Sequence, residues 1–204
     1  MDYVIFLPGF YGSELVLPKS KRLLWISARE AVVGSRTLAR TGLGVPGAVT
    51  LATGHVLERV PIVSNLLGID VYGKFLTELR NHLARTPSRV ELLLFPYDWR
   101  QDYSAAVSDF ADLIQTIKEK DAHRITVIAH SMGGLILSYY LRYGRQEPET
   151  AVENWEGAES INAVVLASVP YQGSLTALYN MMHGAKFGLN TALVDADAFC
   201  TFPS

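Results

Sequence analysis

Ser131 stands in Ile-Thr-Val-Ile-Ala-His-Ser-Met-Gly-Gly (125–134), where a β-prone apolar run gives way to small residues and then to a helical pattern. Acyl transfer by serine needs a hydroxyl raised clear of its surroundings, near a base, with hydrogen-bond donors waiting for the negative oxygen that forms on attack. A sharp strand-to-helix turn supplies that exposure, at a backbone cost of order 1–3 kcal/mol, and it tolerates only small side chains two residues either side of the serine. Ala129 and Gly133 meet the requirement, with Ala standing where Gly is commonest. Met132 then offers its backbone N–H to an oxyanion hole, from the positive end of the helix it begins. A second donor is expected from the loop after the first strand, Pro8-Gly9-Phe10-Tyr11-Gly12, and the Phe10 N–H is assigned to it.

The elements that position these groups follow from periodicity. Residues 3–7 (Tyr-Val-Ile-Phe-Leu) and 90–95 (Val-Glu-Leu-Leu-Leu-Phe) are short apolar runs stopped by Pro8-Gly9 and Pro96, the pattern of buried strands. Phe75, Leu76, Leu79 and Leu83 recur at helical spacing behind Asp70 as N-cap, and Val107, Phe110, Ile114 and Ile117 mark the inner face of a helix from near Asp102. A third strand is expected over 124–129, a helix from Met132 to about Arg145 carrying Leu135, Tyr139 and Leu141, and a fourth strand over 161–167. Such alternation predicts an α/β fold, a mostly parallel sheet flanked by helices, with ligands outside the carboxyl ends of the strands.

One domain is expected from 204 residues of which 49% are hydrophobic, with a core of 1–17 and 70–182. Residues 18–69 and 183–204 have no clean period and read as a cap or lid. A net charge of -2 gives no electrostatic reason for a nucleic-acid partner. The single cysteine, Cys200, excludes an internal disulfide and a Cys-rich zinc site; no metal or other cofactor is expected. The N-terminus lacks the basic and long apolar regions of a secretory signal, and no segment reaches the roughly 18 apolar residues of a membrane span, so a cytoplasmic location is expected.

Four motifs, Leu-Pro-Gly-Phe-Tyr-Gly-Ser-Glu-Leu (7–15), Pro-Tyr-Asp-Trp-Arg (96–100), Ala-His-Ser-Met-Gly-Gly-Leu (129–135) and Val-Pro-Tyr-Gln-Gly-Ser-Leu (169–175), together resemble the lecithin:cholesterol acyltransferase and lysosomal phospholipase A2 branch of the α/β-hydrolases. The resemblance implies Ser131 as nucleophile, the Phe10 and Met132 N–H groups as oxyanion hole, and a lipid ester as substrate. It also implies peripheral membrane contact through the lid, without the disulfide of extracellular members. Asp98 and Arg100 are secondary candidates, read first as fixing their own loop.

A triad of this fold runs Ser, then Asp or Glu, then His along the chain. After Ser131 the one histidine is His183, and Asp195 and Asp197 follow it in the wrong order, so the acid and base are not assigned within 1–204. His55, His82, His123 and His183 are read as surface or cap residues, and His130 is expected to point away from Ser131. Either the chain is a fragment of a longer enzyme, or it is a truncated homologue without turnover that binds a lipid or a partner. The run Gly-Leu-Gly-Val-Pro-Gly (42–47) matches a dinucleotide-binding pattern, but no strand leads into it and Pro46 obstructs the helix entry, so NAD binding is set aside.

Overall fold

A computed structural model describes residues 1–27, 51–63, 67–120, 122–186 and 192–194. Its strands are β1 (Asp2–Leu7), β2 (Ser13–Val16), β3 (Leu23–Trp25), β4 (Ala52–Val56), β5 (Arg59–Val63), β6 (Leu67–Asp70), β7 (Val90–Leu94), β8 (Arg124–His130), β9 (Ala163–Ala167), β10 (Ala185–Lys186) and β11 (Ala192–Val194). Its α-helices are α1 (Gly73–Ala84), α2 (Tyr103–Glu119), α3 (Met132–Tyr143) and α4 (Leu175–His183). Cys200, Asp195, Asp197 and the 42–47 glycine run lie outside the described residues. Contacts divide the chain into two compact units, one of residues 1–10, 75–97 and 102–171, the other of 11–74, 98–101 and 172–204.

The first unit holds a parallel sheet of order β7-β1-β8-β9. β1 lies inside it, and Tyr3 to Leu7 are all buried, as a continuous apolar run between two neighbours and two faces demands. Ala106, Val107, Phe110, Ala111, Ile114 and Ile117 form the buried stripe of α2, which Asp102 caps by accepting the Ser104 N–H at 2.7 Å. The expected strand, helix, strand, helix alternation is thus the one found. On α3 the buried face is Gly133, Ile136, Leu137 and Tyr140, so Leu135, Tyr139 and Leu141 lie on its half-exposed flanks.

Three elements differ from their sequence pattern. Asp70 is the last residue of β6, not the N-cap residue itself; α1 begins at Gly73, and the Asp70 carboxylate reaches forward to accept the Lys74 N–H at 3.1 Å. Of the apolar positions of α1 only Leu76 is buried, while Phe75 is 43% exposed with its ring 5.3 Å from that of Phe6. β9 is as apolar as β1 yet every one of its residues is exposed, and among the described strands it pairs with β8 alone.

The second unit is built of short antiparallel pairings. β2 pairs with β3 and β4, β5 with β6 and β10 with β11. Ser13–Val16 therefore belongs to this three-stranded sheet and not to the parallel one. Strands of three to five residues with register shifts leave no period for a sequence window to detect, which is why the described part of 18–69 reads as irregular. Trp25, Leu15, Leu24, Val56, Leu57 and Val60 are buried here. No described helix is long and apolar enough to cross a membrane.

Candidate active site

The sheet order sets three loops side by side at one end of the first unit: those after β7, β1 and β8. Leu7 stands opposite Ala129, and the Phe95 N–H bonds the Phe6 carbonyl at 2.9 Å, so the three strands end nearly level. β8 ends at His130, α3 begins at Met132, and Ser131 makes the whole turn between them with φ 51° and ψ −123°. A positive φ is costly for a residue bearing a Cβ. Serine at a helix N-cap ordinarily takes an extended backbone and binds the first-turn N–H groups with its hydroxyl. Ser174 before α4 does so, with φ −138° and the Ala177 N–H at 3.2 Å, whereas the Ser131 side chain makes no capping bond.

The turn is held from both sides. The Ser131 N–H bonds the Ala167 carbonyl at the end of β9 (2.9 Å), and the Ser131 carbonyl accepts the Gly134 N–H (2.9 Å). Ala129 is fully buried. A Cβ on Gly133 would strike the Pro8 and Leu7 carbonyl oxygens, and one on Gly134 would strike a methyl of Val169. A Cβ on Gly9 would lie 2.9 Å from the Ser131 Cβ and 3.0 Å from Nδ1 of His130, so the loop carrying Phe10 packs against the turn itself. Met132, at the first position of α3, has no intrahelical acceptor for its N–H. The geometry thus sets Ser131 between the start of α3 and the loop after β1.

Among the histidines of this unit, His123 precedes β8 and pairs with Asp2 at 3.6 Å, at the opposite end of the strand from Ser131, roughly 25 Å away at 3.3 Å per residue. His82 is exposed in the last turn of α1. His130 is half-buried beside Gly9, and desolvation lowers its pKa. Its neutral form is therefore favoured by folding, and that contribution, complete above the unfolded value near 6.5, is lost as pH falls through the lowered folded value. The chemical-denaturation midpoint should accordingly drop between about pH 7.5 and about pH 5.5, and His130→Gln should flatten that slope. A cavity of about 270 Å³ lies against α2 and the C-terminal half of α3, away from the turn.

In the second unit, His55 and His183 are exposed, the latter with its ring 4.4 Å from that of Tyr179. Arg100 is 1% exposed and grips Asp98 with Nε at 2.9 Å and Nη2 at 2.7 Å, while its own N–H also bonds the carboxylate. The Trp99 indole donates to the Ser13 carbonyl at 3.1 Å, and Tyr11, Trp25 and Trp99 pack ring on ring at 4.8–5.1 Å. Two residues of the first unit carry more than their sequence context signalled. Tyr97 donates its hydroxyl to the Pro8 carbonyl at 2.8 Å, and Ser168, after β9, shares a positive φ of 51° with Ser131. Tyr97 lay within a motif already singled out; a strained Ser168 has no local sequence mark.

No curated protein matches the sequence. The chain is similar to one in a solved structure of the Tle4-Tli4 complex, with 15% identity and a TM-score of 0.50 over 95% of this chain and 50% of that one. It spans about half the length of that chain, and the likeness is one of fold. The sequence profile of lecithin:cholesterol acyltransferase matches residues 71–197, more than half of the chain, and the matched span includes α1, β7, the 96–100 motif, the Ser131 turn and the loop after β9. With that match over an α/β sheet of this order, the chain belongs to the lecithin:cholesterol acyltransferase family.

Proposed function

We propose that the protein carries the nucleophile of a serine-dependent acyl transfer on lipid esters, with Ser131 forming the acyl-enzyme. The observation that carries this is the conformation of Ser131: a positive-φ residue between strand and helix whose hydroxyl caps nothing. Attack of Oγ on the ester carbonyl forms the C–O bond, and the hydroxyl proton passes to a base. The oxygen turned negative is met by the N–H groups of Phe10 and Met132. Collapse releases the alcohol with that proton and leaves the acyl group on Ser131; water or a second alcohol then takes it, giving a hydrolase or an O-acyltransferase. The lipid substrate follows from the family. Acid and base are not assigned within 1–204: among the described residues of the first unit neither His82 nor His123 stands at the turn, and chain order argues against His183. Cytoplasmic location with peripheral membrane contact is part of the same proposal.

A fluorophosphonate tests the nucleophile. The 204-residue chain should label slowly at Ser131, since loss of the base removes most of the activation and leaves the donors, and Ser131→Ala should abolish labelling. Rapid stoichiometric labelling would place a base within the chain, and labelling that survives Ser131→Ala would remove Ser131 from the reaction. A lipid-binding homologue without turnover is the second reading, since among the described residues of the first unit neither His82 nor His123 stands at the turn; complete inertness to the probe would support it.

A further inference from the structure

We propose that Tyr97 is a positioning residue for the oxyanion loop, holding the Phe10 N–H where Ser131 chemistry needs it; this rests on the reading of Ser131 as nucleophile. β1 is the strand between β7 and β8, so the loop after it is flanked by the loops after those two strands. On the β8 side, Gly9 and Pro8 press against Ser131 and Gly133 at distances that admit no added Cβ. On the β7 side the contact is a directed bond, from the Tyr97 hydroxyl to the Pro8 carbonyl at 2.8 Å. Tyr97 is 3% exposed and its ring stacks on Phe95, whose own ring meets Phe110 of α2 edge-on, so the hydroxyl is aimed by packed core. Pro8 O and Gly9 N share one peptide plane. Fixing that carbonyl fixes the plane entering Gly9, one residue before the proposed donor, at a residue with no Cβ to restrict its own backbone angles. Packing on one side sets how near the loop lies to Ser131, and the hydrogen bond on the other sets how its peptides are turned.

Tyr97→Phe keeps the ring and removes the bond. Amide hydrogen exchange at Gly9 and Phe10 should speed about tenfold, while amides of β8 in the same experiment report overall stability and separate it from a loop effect. Fluorophosphonate labelling of Ser131 should slow about tenfold, less than the loss of an oxyanion donor outright. Tyr139→Phe removes a matched bond, from the Tyr139 hydroxyl to the Gln146 carbonyl at 2.9 Å, and should change neither reading. Unchanged exchange at Gly9 and Phe10, or unchanged labelling in Tyr97→Phe, would overturn the proposal. Labelling that persists in Ser131→Ala, or none in the parent chain, would instead sink the nucleophile reading, and the exchange comparison would still decide whether Tyr97 orders the loop.

Discussion

Gly133→Ala should lower the unfolding free energy by about 3 kcal/mol, at the upper end of overpacking costs, and abolish slow labelling of Ser131. The atoms a methyl group would meet there are backbone: the carbonyl oxygens of Pro8 and Leu7, with the Leu7 carbonyl carbon at 3.0 Å. A crowded side chain can turn to another rotamer, but these carbonyls belong to the end of β1, where Leu7 is in register with Ala129. Relief must therefore come from moving α3 away from β1, which carries Met132 and Ser131 off the Phe10 loop. Urea unfolding measures the first effect and intact-mass analysis after fluorophosphonate treatment the second. Stability within about 0.5 kcal/mol of the parent would mean that the helix start yields readily and that the close approach is incidental.

Asp98→Ala should cost about 3–5 kcal/mol, because it strips a buried guanidinium of the carboxylate it grips twice. Arg100 is 1% exposed, and the same Asp98 carboxylate accepts the Arg100 backbone N–H at 3.1 Å, so the change removes three bonds from one residue. The double change Asp98→Ala with Arg100→Met should recover much of the loss, since the buried guanidinium is then removed together with its carboxylate. Both are read by urea unfolding. A loss below about 1 kcal/mol in the single variant would mean that water reaches the guanidinium and that the pair behaves as a surface bridge.

Legibility in the sequence tracked how far each feature depends on its immediate neighbours along the chain. The stripe Val107, Phe110, Ile114, Ile117 was readable because one helix face is buried throughout, and the turn at Ser131 because strand, small residues and helix follow within ten positions. β9 shows the limit: Ala-Val-Val-Leu-Ala is as apolar as a covered strand, and only the structure reveals that all five residues are exposed at the end of the described strand order. β2 and β4 were invisible because pairing partners such as Ser13 and Val56 are far apart in sequence, and β3, β5 and β6 because their short, register-shifted runs show no alternation. Tyr97 stood in view within the 96–100 motif, yet its partner is Pro8, 89 positions away, and is fixed by β7 lying beside β1. Asp98 and Arg100 were legible as a local pair, but their burial was not.

The tie between the Ser131 N–H and the Ala167 carbonyl has a consequence for where the nucleophile sits in the hierarchy of folding stability. One anchor of the turn, the close approach to β1, belongs to the strand buried deepest in the sheet; the other belongs to β9, whose residues are all exposed among the described ones. Segments with little buried surface open first, well before the whole domain unfolds. Among the described residues, then, the seat of Ser131 joins the most protected strand of the sheet to one of its most exposed.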